Sequence, residues 1–309
     1  MLPAGLSVVM PNYNGESLLT ANLPPLIAAL EEWGGEWELI IVDDCSSDGS
    51  CRLVKDHFPQ VNLIVNGINL GFSGTCNRGM AVARFTLVLC INSDVLVCPG
   101  FVTPLVEHFV QSDVFAVTPN ILAASEGTNQ GAVFGLYGKG FLKGGFAKID
   151  QQVSGRENLY ATGACALYDL SKFRALGGYS ELYSPYLFED VDLSYRAWKR
   201  GWKSIYDPRS TVYHQSSATI GKLGKRRKRR IYFRNRFLFH WVNLTDRSLM
   251  ASHAAYVLIR LCVSFLWGDF NYYCSFFGAL RRLAKVSALR KQEKAHAVLR
   301  DRQILARTG

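Results

Sequence analysis

Three apolar runs in the first third of the chain each stop abruptly at a polar turn. Leu6-Ser7-Val8-Val9-Met10 gives way to Pro11-Asn12-Tyr13-Asn14-Gly15. Trp37-Glu38-Leu39-Ile40-Ile41-Val42 runs into Asp43-Asp44-Cys45-Ser46-Ser47-Asp48-Gly49, and residues 85–91 run into Asn92-Ser93-Asp94. Short apolar runs bounded by turn residues read as strands buried on both faces. Helical patterns separate them. One runs over 17–33, where Pro24-Pro25 predict a kink or restart. A short one passes through Leu53, Val54 and His57, and a strand follows at 61–65. The Asn- and Gly-rich stretch 66–79 reads as a loop entering a helix that ends near Ala83. A helix at 99–110 and a strand at 114–118 continue the alternation, which argues a parallel α/β sheet with helices on both faces. Ligands of such sheets bind beyond the carboxyl ends of the strands. The three polar turns therefore converge on one site.

Residues 123–160 lose this pattern and hold eight glycines; they read as a mobile excursion over the active face. A strand returns at 160–168, and a short helix at 171–176 is closed by Gly177-Gly178. Short strands follow at 204–206 and 211–214. Between them lies Phe188-Glu189-Asp190-Val191-Asp192-Leu193, with three carboxylates in four positions and aromatic neighbours at Tyr186, Tyr195 and Trp198. Acids in a helix's first turn are favoured by the macrodipole, and the helix is predicted to stop at Gly201. Carboxylates beside apolar walls have raised pKa values, as a general base requires. An acid-rich helix start is the plainer alternative.

Charge divides the chain. Residues 1–195 carry 10 Lys+Arg against 20 Asp+Glu, and residues 196–309 carry 25 against 5. The basic part should meet something anionic: a phospholipid surface, nucleic acid or a phosphorylated acceptor. Lys225 to Arg230 are six consecutive cations, and 232–241 alternates aromatics with Arg234 and Arg236. Residues 254–267 are strongly apolar but interrupted by Arg260. They read as an interfacial helix or hairpin rather than a membrane span, with an ordinary buried helix pair as the alternative. The eight cysteines include no CxxC pair, and the first apolar run is too short for a signal peptide. Both features fit a reducing cytoplasm.

The turns suggest chemistry. A carboxylate at Asp43, at a strand end, can accept from a nucleobase N–H or a ribose hydroxyl; it can equally cap the next helix. Asn92 and Asp94, two apart, face the same way in an extended segment. One carboxylate there can bind Mg2+ or Mn2+ that also holds a diphosphate. His214, after a short strand, is a further ligand or a structural histidine.

Together these segments resemble the family-2 inverting glycosyltransferases, over roughly residues 5–240. The resemblance rests on Val8 to Asn14, Ile40 to Gly49, Asn69-Leu70-Gly71-Phe72-Ser73 with Asn77, Asn92-Ser93-Asp94, Gly177-Gly178-Tyr179, Glu189 to Asp192 and His214. It implies an α/β GT-A fold: a Rossmann-like mixed sheet flanked by helices. Residues 1–240 would form the catalytic domain, with a nucleotide-binding half at 1–120 and an acceptor-side half at 121–240. Residues 241–309 would form a basic, apolar helical extension. The resemblance assigns Pro11, Tyr13, Asn14, Asp43, Asp44, Asn69, Gly71, Phe72, Asn77, Asn92 and Ser93 to the nucleotide and donor sugar. It makes Asp94 and His214 ligands of Mg2+ or Mn2+, and Asp190 the general base. Glu189 would orient the acceptor or Asp190, and Asp192 would cap the helix. Asn92 replaces the first aspartate of the usual metal motif, so more of the metal binding falls on Asp94 and His214.

Rhamnosyl- and galactofuranosyltransferases of bacterial surface-polysaccharide assembly share the Asn-Leu-Gly-Phe loop and the late histidine. The implied donor is a dTDP- or UDP-sugar. The implied acceptor is a glycan or lipid-linked glycan, met at the cytoplasmic face of an anionic inner membrane. Three other readings compete with this one. A nucleic-acid-binding protein fits the basic stretch but explains none of the carboxylate turns, so no nucleic-acid partner is expected. A dinucleotide oxidoreductase lacks its GxGxxG after the first strand. A catalytically inactive glycan-binding relative would be expected to lose Asp94 or Asp190, and both are present.

Overall fold

The computed structural model describes residues 5–215 and 224–309. The chain opens with β1 (Gly5–Asn12), α1 (Glu16–Trp33), β2 (Glu36–Asp43), α2 (Ser50–His57), β3 (Asn62–Val65), α3 (Gly71–Val82) and β4 (Leu87–Ile91). β5 (Val95–Val97), α4 (Val102–Glu107) and β6 (Val114–Ala123) follow. Next come β7 (Thr128–Gly138), β8 (Phe141–Lys148), β9 (Arg156–Asn158), β10 (Cys165–Asp169), α5 (Leu170–Ala175), α6 (Glu189–Lys199) and β11 (Lys203–His214). The helices α7 (Lys225–Asn243), α8 (Arg247–Leu266), α9 (Phe270–Leu280), α10 (Leu283–His296) and α11 (Asp301–Thr308) complete it.

The main sheet runs β3-β2-β1-β4-β10-β6-β11-β5. β1 to β4 are parallel, whereas β10 runs antiparallel to both β4 and β6, so the sheet is mixed. Side chains alternate across it. Val8, Met10, Leu39 and Ile41 enter one core with α1, α2 and α4. Val9, Ile40 and Val42 enter another with α3, α5 and α6. Burying both faces explains why these strands read as continuous apolar runs.

α1 runs unbroken through Pro24 and Pro25, so the expected restart does not occur. Burial of Leu19, Leu23, Leu26, Ile27 and Leu30 along one face outweighs the lost backbone bonds. The two short strands expected at 204–206 and 211–214 are one strand, β11, with an irregularity between Asp207 and Thr211.

Residues 123–160 correct the sequence reading. They form an extension of the sheet: β7 pairs with β6 and β8, and β9 pairs with β11. The glycines mark close approaches. A Cβ on Gly131 would lie 1.8 Å from the Pro119 carbonyl oxygen. Gly140, at the β7–β8 turn, has φ +70° and sits against Tyr256 of α8. This hairpin, α6 and the C-terminal helices share a third core around Phe141, Trp198, Phe237, Tyr272 and Ile304. That core crosses residue 240, which lies inside α7. α8 spans 20 residues, so it is longer than the apolar stretch suggested and is long and apolar enough to cross a membrane.

Candidate active site

The ends of β1 and β2 lie side by side, with Asn12 opposite Asp43. Asn12 Nδ2 donates to Asp43 Oδ2 at 2.9 Å, and the Ser46 N–H donates to Asp43 Oδ1 at 2.9 Å. Asp43 is 1% exposed. Its carboxylate therefore turns into the protein rather than opening freely onto the crevice, and it braces the turn that follows. Pro11 lies within β1, beside Val42. Asn14, at φ +51°, accepts from the Ser47 N–H at 2.8 Å. Tyr13 is 44% exposed beside this turn.

Asp44 ties two turns together. It accepts from Asn66 Nδ2 (2.9 Å) and from the N–H groups of Leu70 (2.7 Å) and Gly71 (2.9 Å). Asn69 Nδ2 donates to the Asp44 carbonyl. These bonds fix the start of α3. Gly71, at φ +72°, lies so close to Pro185 that a Cβ would sit 3.0 Å from its carbonyl oxygen. Phe72 packs edge-on against Tyr179. Asn77 bonds both the N–H and the C=O of Tyr179. Asp44, Phe72 and Asn77 thus hold neighbouring segments rather than pointing polar groups into open space.

The turn after β4 is different. Asn92 Oδ1 and Asp94 Oδ1 are buried with no hydrogen-bond partner among the described residues. Antiparallel pairing of β5 with β11 sets His214 opposite Val95. His214 Nε2 then lies 3.3 Å from Asp94 Oδ1. His214 Nδ1 is 2.8 Å from Gln130 Oε1. An amide oxygen only accepts, so Nδ1 carries a proton toward Gln130 and Nε2 is the nitrogen turned toward Asp94. Ser93 contributes its carbonyl to Asn22 Nδ2 at 2.7 Å. Among the described residues no three His, Cys, Asp or Glu side chains cluster to hold a metal alone. The buried Asn92 and Asp94 oxygens, neither of them hydrogen-bonded among the described residues, with His214 Nε2 beside them, nevertheless fit a hard divalent cation that takes its remaining ligands from a diphosphate and water.

This turn adjoins the acidic helix. The Asn92 N–H donates to the Ala164 carbonyl at 2.9 Å, and the neighbouring Gly163 N–H donates to Asp190 Oδ2 at 3.1 Å. One dipeptide, Gly163-Ala164, thus links the metal-type turn to the acidic pair.

A model of glycosyl transferase family 2 matches residues 7–177. The chain belongs to this family. A relative in Mycobacterium tuberculosis, N-acetylglucosaminyl-diphospho-decaprenol L-rhamnosyltransferase, is 25% identical over 210 residues, covering 60% of this chain and 68% of that protein. Among solved structures, the mannosyltransferase PcManGT from Pyrobaculum calidifontis, in complex with GDP-Man and Mn2+, superposes with a TM-score of 0.57. The identity is 14%, over all of this chain and 84% of that one. S. aureus TarS in complex with UDP-GlcNAc gives 0.58 at 14% identity, over 98% of this chain and 90% of that one. These likenesses establish the GT-A fold.

Within this family-2 fold, the acidic pair sits at the start of α6. Glu189 is 7% exposed, and its Oε2 has no partner among the described residues. Burial, and secondarily the adjacent Asp190 charge, push its carboxyl up to about 8. Burial also raises Asp190 above the ordinary carboxylate range. Asp190 keeps part of its surface open. Leu187 and Phe188 precede the pair at φ +72° and +80°. Such conformations cost branched and aromatic residues about 1–3 kcal/mol each and persist only where surroundings enforce them. Asn235 of α7 enforces this one, donating to the carbonyls of Tyr183, Tyr186 and Leu187 at 2.6, 2.9 and 2.8 Å.

Asp192 does not cap the helix. It is fully buried and pairs with Arg196 at 2.7 Å, one turn along α6, while accepting from Tyr183 and Asn243. The sequence reading missed Gln130, Asn235 and Asn243. Gln130 lies in the glycine-rich stretch that showed no pattern, and both asparagines lie in α7 beyond its six consecutive cations.

Proposed function

We propose that this glycosyltransferase moves a sugar, with rhamnose the favoured candidate, from a dTDP- or UDP-sugar to a hydroxyl of a lipid-linked glycan, with inversion at the anomeric carbon. The observation that carries this reading is the Gly163-Ala164 link, which sets Asp190 beside the Asp94–His214 turn.

Tyr13 offers a ring for the nucleobase, and Pro11, Asn14, Asp43, Asn69 and Gly71 shape the nucleotide side. Asp44, Phe72 and Asn77 act as positioning residues. Asn92, Ser93, Asp94 and His214 hold the diphosphate end. A divalent cation, Mg2+ or Mn2+, held there would neutralise the departing diphosphate. Asp190 takes the proton of the acceptor hydroxyl as its oxygen attacks from the face opposite the leaving group. Glu189, neutral over most of the physiological range, spares Asp190 a second negative charge at close range. It can also donate a hydrogen bond to the acceptor.

Rhamnose and a diphospho-lipid acceptor are suggested by the mycobacterial relative, whose name carries both. A lipid-linked acceptor also suits the basic, apolar C-terminal helices and a peripheral place on the cytoplasmic face of a membrane. The reading is tested by incubating the protein with dTDP-rhamnose, Mn2+ and a short-chain polyprenyl diphosphate-linked N-acetylglucosamine. Proton NMR then reads the new anomeric centre. Transfer with inverted configuration is expected; retained configuration would refute a single displacement with Asp190 as base.

A further inference from the structure

The turn between α8 and α9 carries an apolar tip that the active site does not use. Phe265, Leu266, Trp267 and Phe270 are 74, 77, 77 and 70% exposed. Single exposed apolar residues are ordinary, but four large ones at one turn mark an interaction surface. α8 is committed to the protein along its other face. Leu249, His253, Val257 and Ser264 form its buried stripe, and His253 Nδ1 donates to the Gly140 carbonyl at 2.8 Å. Crossing a bilayer would strip those contacts and take Arg260 into hydrocarbon. Leu258 and Ile259, 64 and 61% exposed, continue the outward stripe toward the tip. A helix with one face on protein and an apolar face outward suits an interface, not a span.

Beneath the tip, between α7 and the α8–α9 turn, lies a cavity of about 450 Å³ lined by Arg229, Arg260, Ser264, Trp267 and Asp269 among others. Arg229 is 2.6 Å and Arg260 3.6 Å from the same Asp269 oxygen. Two guanidinium groups on one carboxylate leave net positive charge in the cavity. Ser264 is 1% exposed, and its hydroxyl has no partner among the described residues. A buried hydroxyl in that state lacks an acceptor. Arginine forks match phosphate oxygens. At the cavity edge Arg230 donates to Asn271, and the cations of α7 continue outward from there.

We propose that this turn docks on an anionic phospholipid bilayer. Phe265, Leu266, Trp267 and Phe270 enter the interface, and Arg229, Arg260 and Ser264 seat one lipid phosphate. A bilayer presents anionic phosphate directly above hydrocarbon, which is the pairing this turn offers in reverse. Nucleic acid has the phosphate without the apolar layer. The inference rests on the membrane placement proposed above and narrows it from a general basic surface to one seat.

The test uses the full chain with phosphatidylcholine vesicles, with and without phosphatidylglycerol. Wild type should float with the phosphatidylglycerol vesicles. Brominated acyl chains should quench a fluorescence component that Trp267→Phe lacks. The triple variant Phe265→Ser, Leu266→Ser, Trp267→Ser should lose flotation with an unchanged melting temperature. Arg229→Gln and Arg260→Gln should each weaken partitioning about fivefold. If the triple variant floats like wild type and Trp267 is not quenched, the seat is wrong while the wider membrane placement stands. If wild type floats with no vesicle, both fail. A lipid-free dimer abolished by the triple variant would assign the face to a second copy of the chain and overturn the proposal.

Discussion

The two walls of the cleft hold their polar groups by different means. On the nucleotide wall, strands end together and nearby turns lock one another: Asp43 is braced by Ser46, three residues on, and by Asn12 of the adjacent strand. On the acidic wall, α6 is buried nearly all round, and its partners come from far along the chain. Asn243 reaches Asp192 from 51 positions away, and Asp301 of α11 reaches Tyr195 from 106. Lys199, at the end of α6, is 2.6 Å from the same Asp301, and Arg200 pairs with Glu293 of α10. The C-terminal helices therefore frame the acidic pair. A local turn can be altered with local effect, whereas a buried charge network transmits damage to the carboxylate pair it supports.

The sharpest way to separate the walls is Asp190→Asn. Turnover should fall by about 10²–10⁴, with nucleotide affinity unchanged by calorimetry. Full activity would remove Asp190 as base. Asp192→Ala should break the frame instead. It leaves Arg196 buried and unpaired, at a cost of about 3–5 kcal/mol, readable by urea unfolding. A loss under about 1 kcal/mol, the range of exposed pairs, would mean that the network does not carry the acidic wall.

Gln130→Leu probes the other wall. Removing the group that sets the His214 tautomer should lower metal-dependent nucleotide affinity about 10–100-fold, while metal-free binding stays the same. Equal losses with and without metal would point to general disruption.

The acidic wall should also carry a pH dependence. Burial pushes the Glu189 carboxyl up to about 8 in the folded chain, against about 4.5 for an ordinary glutamate. The folded state thus binds an extra proton across that window, so stability falls as pH rises from 4.5 toward 8. Glu189→Gln should flatten this slope and raise the melting temperature at pH 8 relative to wild type. An unchanged slope would contradict the buried placement of Glu189.

Legibility followed the same division. The strand ends at Asn12, Asp43 and Asn92 were readable because each apolar run and its polar turn are contiguous. The Asp94–His214 pair required the family resemblance, since antiparallel pairing of β5 and β11 joins residues that are remote in sequence. Residues 123–160 were misread because their glycines signal close backbone packing as readily as mobility. No alternating pattern survives where a hairpin is covered by sheet on one part and helices on another. Asp192 was misread because, although Arg196 is visible at helical spacing, the contact that helps bury it comes from Asn243 of α7, 51 positions away.

The measurement that bears most directly on this account is calorimetric titration of the folded protein with UDP, dTDP and GDP, each with and without Mn2+, for wild type and Asp94→Asn. The account predicts binding of UDP or dTDP that Mn2+ tightens, with that gain lost in Asp94→Asn. Failure of every nucleotide to bind, or binding indifferent to both Mn2+ and Asp94, would contradict it.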